Sequence, residues 1–333
     1  MKLLKFLIVL TLFVSCKTKD PFIKIKTIRS EIDRLETQKD IENYIHKMDT
    51  IYKKFELKKI QDFDRGTKDS LNVILAQKVK MYDCFLKADF DNNGLTDLLV
   101  IGDNHDCICF GYGIEGEKSC GFSTLVLMNF NHEIKIIDVN KNRNYPIVPK
   151  VEYENGEAFL IIYTPKTLGN EIIPSEKESK TKLTFKFDNF IEYHTNQKQR
   201  SIERIEYSTT FCYGTCPVFK LEINKDKSAV FVAQHFNFDD NIDNYSSTEE
   251  GNFETIISKE KFDELNAILN YIDFVNLKNS YFVHWTDDQS STLKITYDNG
   301  KKKTIDDYGL IGTYGLKRVY ELLFDLRKNQ NWK

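Results

Sequence analysis

Asp89-Phe90-Asp91-Asn92-Asn93-Gly94-Leu95-Thr96-Asp97 sets side-chain oxygens at its first, third, fifth and ninth positions and a glycine at its sixth. With a backbone carbonyl from the seventh position, that spacing makes a tight loop able to wrap a hard cation such as calcium. An EF-hand would place a bidentate glutamate at the twelfth position, but Val100 stands there, and the flanks Cys84-Phe85-Leu86 and Leu98-Leu99-Val100-Ile101 read as strands. The competing expectation is an Asp/Asn-rich turn satisfied by its own backbone without metal. A loop ligated entirely by protein leaves no open position for substrate, so calcium held there is structural.

Cys212-Tyr213-Gly214-Thr215-Cys216-Pro217 holds two cysteines in a turn that opens into a strand. An internal disulfide between Cys212 and Cys216 is the leading expectation for an exported chain. A thiol oxidoreductase of the thioredoxin type would have two residues between its cysteines within a βαβ unit, and here there are three. Zinc would need further ligands, for which His235 and His284 are available in the same region. Asp103-Asn104-His105-Asp106-Cys107-Ile108-Cys109, with Cys120 and Cys84, offers either a Cys/His metal site or further disulfides, of which disulfides are expected and their pairing stays open. Gly111-Tyr112-Gly113-Ile114-Glu115-Gly116 formally fits a dinucleotide fingerprint, but no crossover helix follows it.

His284-Trp285-Thr286-Asp287 is the one clustered polar and aromatic spot, and His284, Thr286 and Asp287 are the residues expected to meet a ligand. A hydrolase built around His284 and Asp287, or a thiol oxidoreductase at Cys212 and Cys216, is the enzymatic alternative to a binding or structural module. The acid pairs Asp239-Asp240, Asp287-Asp288 and Asp306-Asp307 are expected to be solvated, since neighbours on a strand point to opposite faces. No G-x-S-x-G elbow, H-E-x-x-H or P-loop is present, and no catalytic residue is assigned.

Three resemblances refine this reading. Ala88 to Val100 resembles the calcium loop of FG-GAP and related β-propeller repeats, in which such a loop runs directly into an Asp-Leu-Leu-Val strand. The resemblance implies Asp89, Asp91, Asn93 and Asp97 as side-chain ligands and Leu95 as a carbonyl ligand of Ca2+. The second candidate loop, Asp138-Val139-Asn140-Lys141-Asn142, lacks the glycine and the ninth acid, so one blade-like hairpin is expected in place of a propeller. From about Ser201 to the end, Cys212, Gly214, Cys216, Pro217, Phe219, Tyr281, Thr286, Asp287 and the span Leu316 to Leu326 resemble an uncharacterised Cys-x-Gly-x-Cys-Pro domain of bacterial envelope lipoproteins. Phe219 departs from that pattern, where tyrosine is usual. The family has no established activity. At the other end Met1-Lys2-Leu3-Leu4-Lys5, the apolar run Phe6 to Val14, and Ser15 before Cys16 resemble a bacterial lipoprotein signal peptide. The apolar run is too short to span a membrane, which takes about twenty residues. By this resemblance residues 1–15 are removed, Cys16 carries lipid, and the protein is anchored to a membrane of the cell envelope, the outer membrane being expected.

The elements that must position these residues follow from periodicity. Residues 16–26 are expected to be a tether. Residues 27–80 carry helical spacing in Ile28, Ile32, Leu35, then Ile41, Ile45, Met48, then Leu71, Ile74 and Leu75, with Thr37 as a cap, and are expected to pack as a helical hairpin on the next domain. Over 81–195 the period becomes two, with an Asn155-Gly156 hairpin turn, giving a mostly antiparallel β domain that carries the calcium loop. Thr195 to Arg200 is polar and marks a boundary. Residues 201–333 alternate strands with two amphipathic helices, around Phe262 to Ile272 and Leu316 to Leu326, giving an α+β, sandwich-like domain. The fold class is therefore α+β throughout. Hydrophobic residues at 41% and charged residues at 29% are ordinary for a globular chain, and the net charge of -3 comes with no basic stripe for nucleic acid. The partners expected are the membrane through Cys16 and an unidentified protein or glycan.

Overall fold

The computed structural model describes residues 30–63, 67–105, 122–140, 147–166, 175–195, 197–237 and 250–333. The expected signal and tether with Cys16, the cysteines Cys107, Cys109 and Cys120, the 111–116 glycine run and Asp239-Asp240 lie outside the described residues. No helix among the described residues is long and apolar enough to cross a membrane.

Two short helices open the described chain, α1 (Glu31–Arg34) and α2 (Gln38–Met48). Each begins with a reciprocal cap: Ser30 with Asp33, and Thr37 with Asp40, where the hydroxyl accepts the third amide and the aspartate accepts the cap's own N–H. Such caps are worth about 1 kcal/mol each. A two-residue strand β1 (Glu56–Leu57) and helix α3 (Thr67–Lys78) precede β2 (Phe85–Ala88), β3 (Asp97–Asp103), β4 (Phe122–Asn129) and β5 (Ile134–Asp138). Strands β1 to β5 form one antiparallel sheet in which β3 lies against β4 on one side and β1 and β2 on the other.

Strands β3 and β4 are buried on both faces, which is why they read as continuous apolar runs. Leu98, Val100, Leu125 and Leu127 pack with Ile32, Ile41 and Ile45 of the first two helices. Leu99, Ile101, Val126 and Met128 point the other way, toward Leu75 and Ala76 of α3 and toward a second sheet. That sheet is a meander of β6 (Val148–Glu154), β7 (Glu157–Thr164), β8 (Ser179–Lys186) and β9 (Asn189–Glu192), with the expected Asn155-Gly156 turn between β6 and β7. Leu160, Ile162, Leu183 and Phe190 supply its half of the shared core. The N-terminal helices thus do not form a hairpin. They take opposite faces of the first sheet, and β1 joins that sheet, because two apolar sheet faces must each be covered.

The C-terminal part carries β10 (Ile202–Thr209), β11 (Val218–Asn224), β12 (Ser228–His235), β13 (Gly251–Ile256), α4 (Lys259–Tyr271), β14 (Ser280–Phe282), β15 (Ser290–Tyr297), β16 (Lys301–Tyr308) and α5 (Tyr314–Asn329). Its sheet runs in the order β13-β12-β11-β10-β15-β16-β14, antiparallel except for the last pair. Alternation places Ile205, Tyr207, Leu221, Phe231, Leu293 and Ile295 on one face, against Leu265 and Leu269 of α4 and Val319 and Leu323 of α5. Lys220, Glu222, Thr292 and Lys294 line the opposite face, an open concavity free of any covering layer among the described residues. The domain is an open-faced sheet with one helical layer. Asp306 and Asp307 take opposite faces as alternation requires, but Asp307 is not solvated: it is 1% exposed and accepts the Ile311 and Gly312 amides at 3.0 and 2.9 Å.

Candidate metal centre

The β2–β3 hairpin pairs Ala88 with Asp97, so the chain between them must reverse within the acidic loop. Asn92 and Gly94 do this in the left-handed region, at φ 58° and 84°. No atom lies within 4 Å of where a Cβ on Gly94 would sit, so the glycine answers to backbone conformation alone.

Inside the turn, Asp89 accepts the Asn93 amide at 3.1 Å and the Gly94 amide at 2.8 Å. Asp91 accepts the Asn93 amide at 3.2 Å and its side-chain Nδ2 at 3.0 Å. Asn93 Oδ1 accepts the Leu95 amide at 2.7 Å, while Nδ2 also donates to the Asn129 carbonyl at 2.8 Å. Asp97, at 0% exposure, accepts the Phe90 amide at 2.8 Å and the Asn129 amide at 2.7 Å, closing the loop on the end of β4. Carboxylate oxygens of Asp89, Asp91 and Asp97 all lie within 4.8 Å of one another. Two of the expected ligands, Asn93 and Leu95, sit in the same turn, and Asn93 is turned toward Asp91 and Asn129.

The electrostatics of this loop are unbalanced. Burial pushes the Asp97 carboxyl up to about 7 against the pull of its two amide donors, and Asp91 and Asp89 push it further. Burial and the charge of Asp89 raise Asp91 as well. No lysine or arginine among the described residues pairs with the three. Every available donor is a hard oxygen, each carboxylate oxygen bound to an amide keeps a second lone pair, and the set fits a calcium-type ion. Asn129, 2% exposed, is the participant that the sequence motif does not contain. It reaches the loop from β4 across 32 residues of chain, so local spacing carries no sign of it.

The second constellation forms at one end of the C-terminal sheet. Cys212 and Cys216 are joined by a disulfide with Cα atoms 5.8 Å apart, which leaves no thiolate for zinc. The bridged loop holds Tyr213 at 87% exposure. Tyr213 N–H donates to the Asp287 carbonyl at 2.9 Å, so the disulfide loop and the His284 to Asp288 segment meet. Thr286 Oγ1 donates to Asp287 Oδ2 at 3.2 Å, and Trp285 Nε1 donates to Asp288 Oδ2 at 2.9 Å. His284 packs edge-on against Phe282, ring centres 5.2 Å apart, and no acid among the described residues is hydrogen-bonded to it. His235 instead pairs with Glu250 at 3.0 Å. The arrangement brings His284, Thr286 and Asp287 beside the disulfide without setting a nucleophile against a base. Cys84 is buried as a free thiol, with Gln38 Nε2 2.9 Å from its sulfur. No curated protein matches the chain, and no solved structure matches it. Residues 203–327 match DUF6438, a domain of unknown function.

Proposed function

We propose that the protein is a lipid-anchored component of the bacterial cell envelope, held at the outer membrane through Cys16, and that its β unit is stabilised by a structural calcium ion. Its C-terminal domain then acts as a binding or structural module facing outward from the anchor. The observation that carries the metal reading is Asp97. A fully buried carboxylate, beside two more within 4.8 Å and with no basic partner among the described residues, is costly unless a cation or a proton neutralises it. Asp89, Asp91, Asn93, the Leu95 carbonyl and Asp97 are the groups that would hold calcium, which supplies only positive charge and cross-linking there. Asn129 and Phe90 hold Asp97 in register through their amides.

Calorimetric titration of metal-stripped protein with calcium chloride is expected to give one site per chain, lost in Asp89→Ala. Absence of any binding in the intact protein would overturn the metal reading. The anchor rests on the order of residues before Cys16 and has its own test. Cys16→Ser is expected to abolish acyl mass on the mature N-terminus and release the protein from the membrane fraction, and unchanged retention without acylation would contradict it.

A further inference from the structure

The family domain spans residues 203–327, yet the structure completes it with a hairpin that lies outside those residues. The first turn of α5 is the place. Its amides at Tyr314 and Gly315, which have no acceptor within the helix, are accepted by the two carboxylate oxygens of Glu192, at the end of β9, at 2.7 and 2.8 Å. A carboxylate at that position also meets the positive end of a helix of 16 residues. Thr313 accepts the Leu316 amide, so the hydroxyl of the cap and the carboxylate of the hairpin divide the first-turn donors between them. A Cβ on Gly315 would stand 2.4 Å from Ile272 Cγ2 and 3.3 Å from Glu192 Oε2, which keeps this position to glycine.

Side chains cross the seam in both directions. Tyr314, from α5, is buried in the core between the two N-terminal sheets, and Ile191, from β9, is buried in the core of the C-terminal domain. Arg318 Nε donates to the Phe187 carbonyl at 2.8 Å, and Asn189 Nδ2 donates to Glu321 at 3.2 Å. Phe187 packs edge-on against Tyr271 of α4, ring centres 5.7 Å apart. What space remains is a cavity of about 20 Å3 bordered by Asn140, whose Oδ1 is buried without a partner. That is room for about one water molecule.

We infer that the first turn of α5 is the joint between the two halves of the chain, held by the β8–β9 hairpin through the Glu192 carboxylate at the end of β9 and the isoleucine beside it. The two halves of the chain consequently unfold as one cooperative unit. A domain cut at residue 203 loses the acceptor for two helix amides and exposes an apolar pocket that Ile191 fills.

Intrinsic fluorescence gives the test on the full chain, because both tryptophans, Trp285 and Trp332, lie in the C-terminal half. Leu160→Ala opens a void in the N-terminal core, among residues that include Leu99 and Phe190. Its tryptophan-reported melting midpoint is expected to fall by several degrees, coincident with far-ultraviolet dichroism. Should Leu160→Ala fail to fold, the milder Ile162→Val serves in the same measurement. In Glu192→Ala the two signals should separate, the dichroism change beginning before the tryptophan change. A tryptophan midpoint unmoved by the core variants, or coincident and unshifted transitions in Glu192→Ala, would overturn the inference.

Discussion

Asp97 is the residue on which the metal reading turns, and its titration gives that reading a pH signature. An aspartate in the unfolded chain titrates near 3.9, whereas in the metal-free native state burial and two neighbouring acids hold Asp97 at about 7. Between those limits the native state keeps a proton that the unfolded state has lost. For this group, then, stability is fully present below about pH 4 and declines as pH rises through 7, by on the order of a few kcal/mol. Carboxylates held low, such as Asp298 with the Ser201 amide and Arg200, lose their contribution only at more acid pH, below the window in question. In chelator the wild-type protein should therefore melt higher at pH 5 than at pH 8. Saturating calcium should close that gap, since the cation takes the place of the proton. Asp97→Asn should flatten the pH dependence in chelator, and a wild-type slope retained in that variant would place its source elsewhere. The three acids and their spacing were legible in the chain; the uncompensated burial of Asp97 was not, because it depends on Asn129 arriving from another strand.

At the scale of elements, long alternating runs declared themselves and short ones did not. Residues 157–164 and 290–297 carry enough alternation or apolar content to name β7 and β15. Strand β9 has four residues with two adjacent buried apolar side chains, too few to set a period, yet it holds Glu192 and Ile191. The helical spacing of 38–48 identifies an apolar stripe, but periodicity does not say which face of which sheet the stripe will cover. That is why α3 lies across the first sheet from α1 and α2 and no hairpin forms. Asp307 was separated correctly from Asp306 by alternation. Its burial depends on the amides of a turn four and five residues on, whose path no pattern records. The Cys212–Cys216 bridge was legible because a short loop holds its two ends close, and its junction with Asp287 was not, because it joins distant segments.

At the scale of the molecule, two packed sheets and an open-faced sheet with two helices meet, among the described residues, at one hairpin. Phe90 of the acidic loop packs edge-on against Phe190 of β9, ring centres 5.3 Å apart, two residues from the carboxylate that caps α5. The loop therefore sits in the same connected core as the joint between the halves, and a stabilising ion there should be felt throughout. A ligand that binds only the native state contributes about 2.7 kcal/mol at a hundredfold excess over its dissociation constant. The most direct measurement is thermal unfolding of metal-stripped protein at pH 8, followed by tryptophan fluorescence, in calcium and in chelator. A midpoint several degrees higher in calcium, with the shift lost in Asp89→Ala and Asp97→Ala, is the predicted result, and superimposable wild-type curves would contradict it.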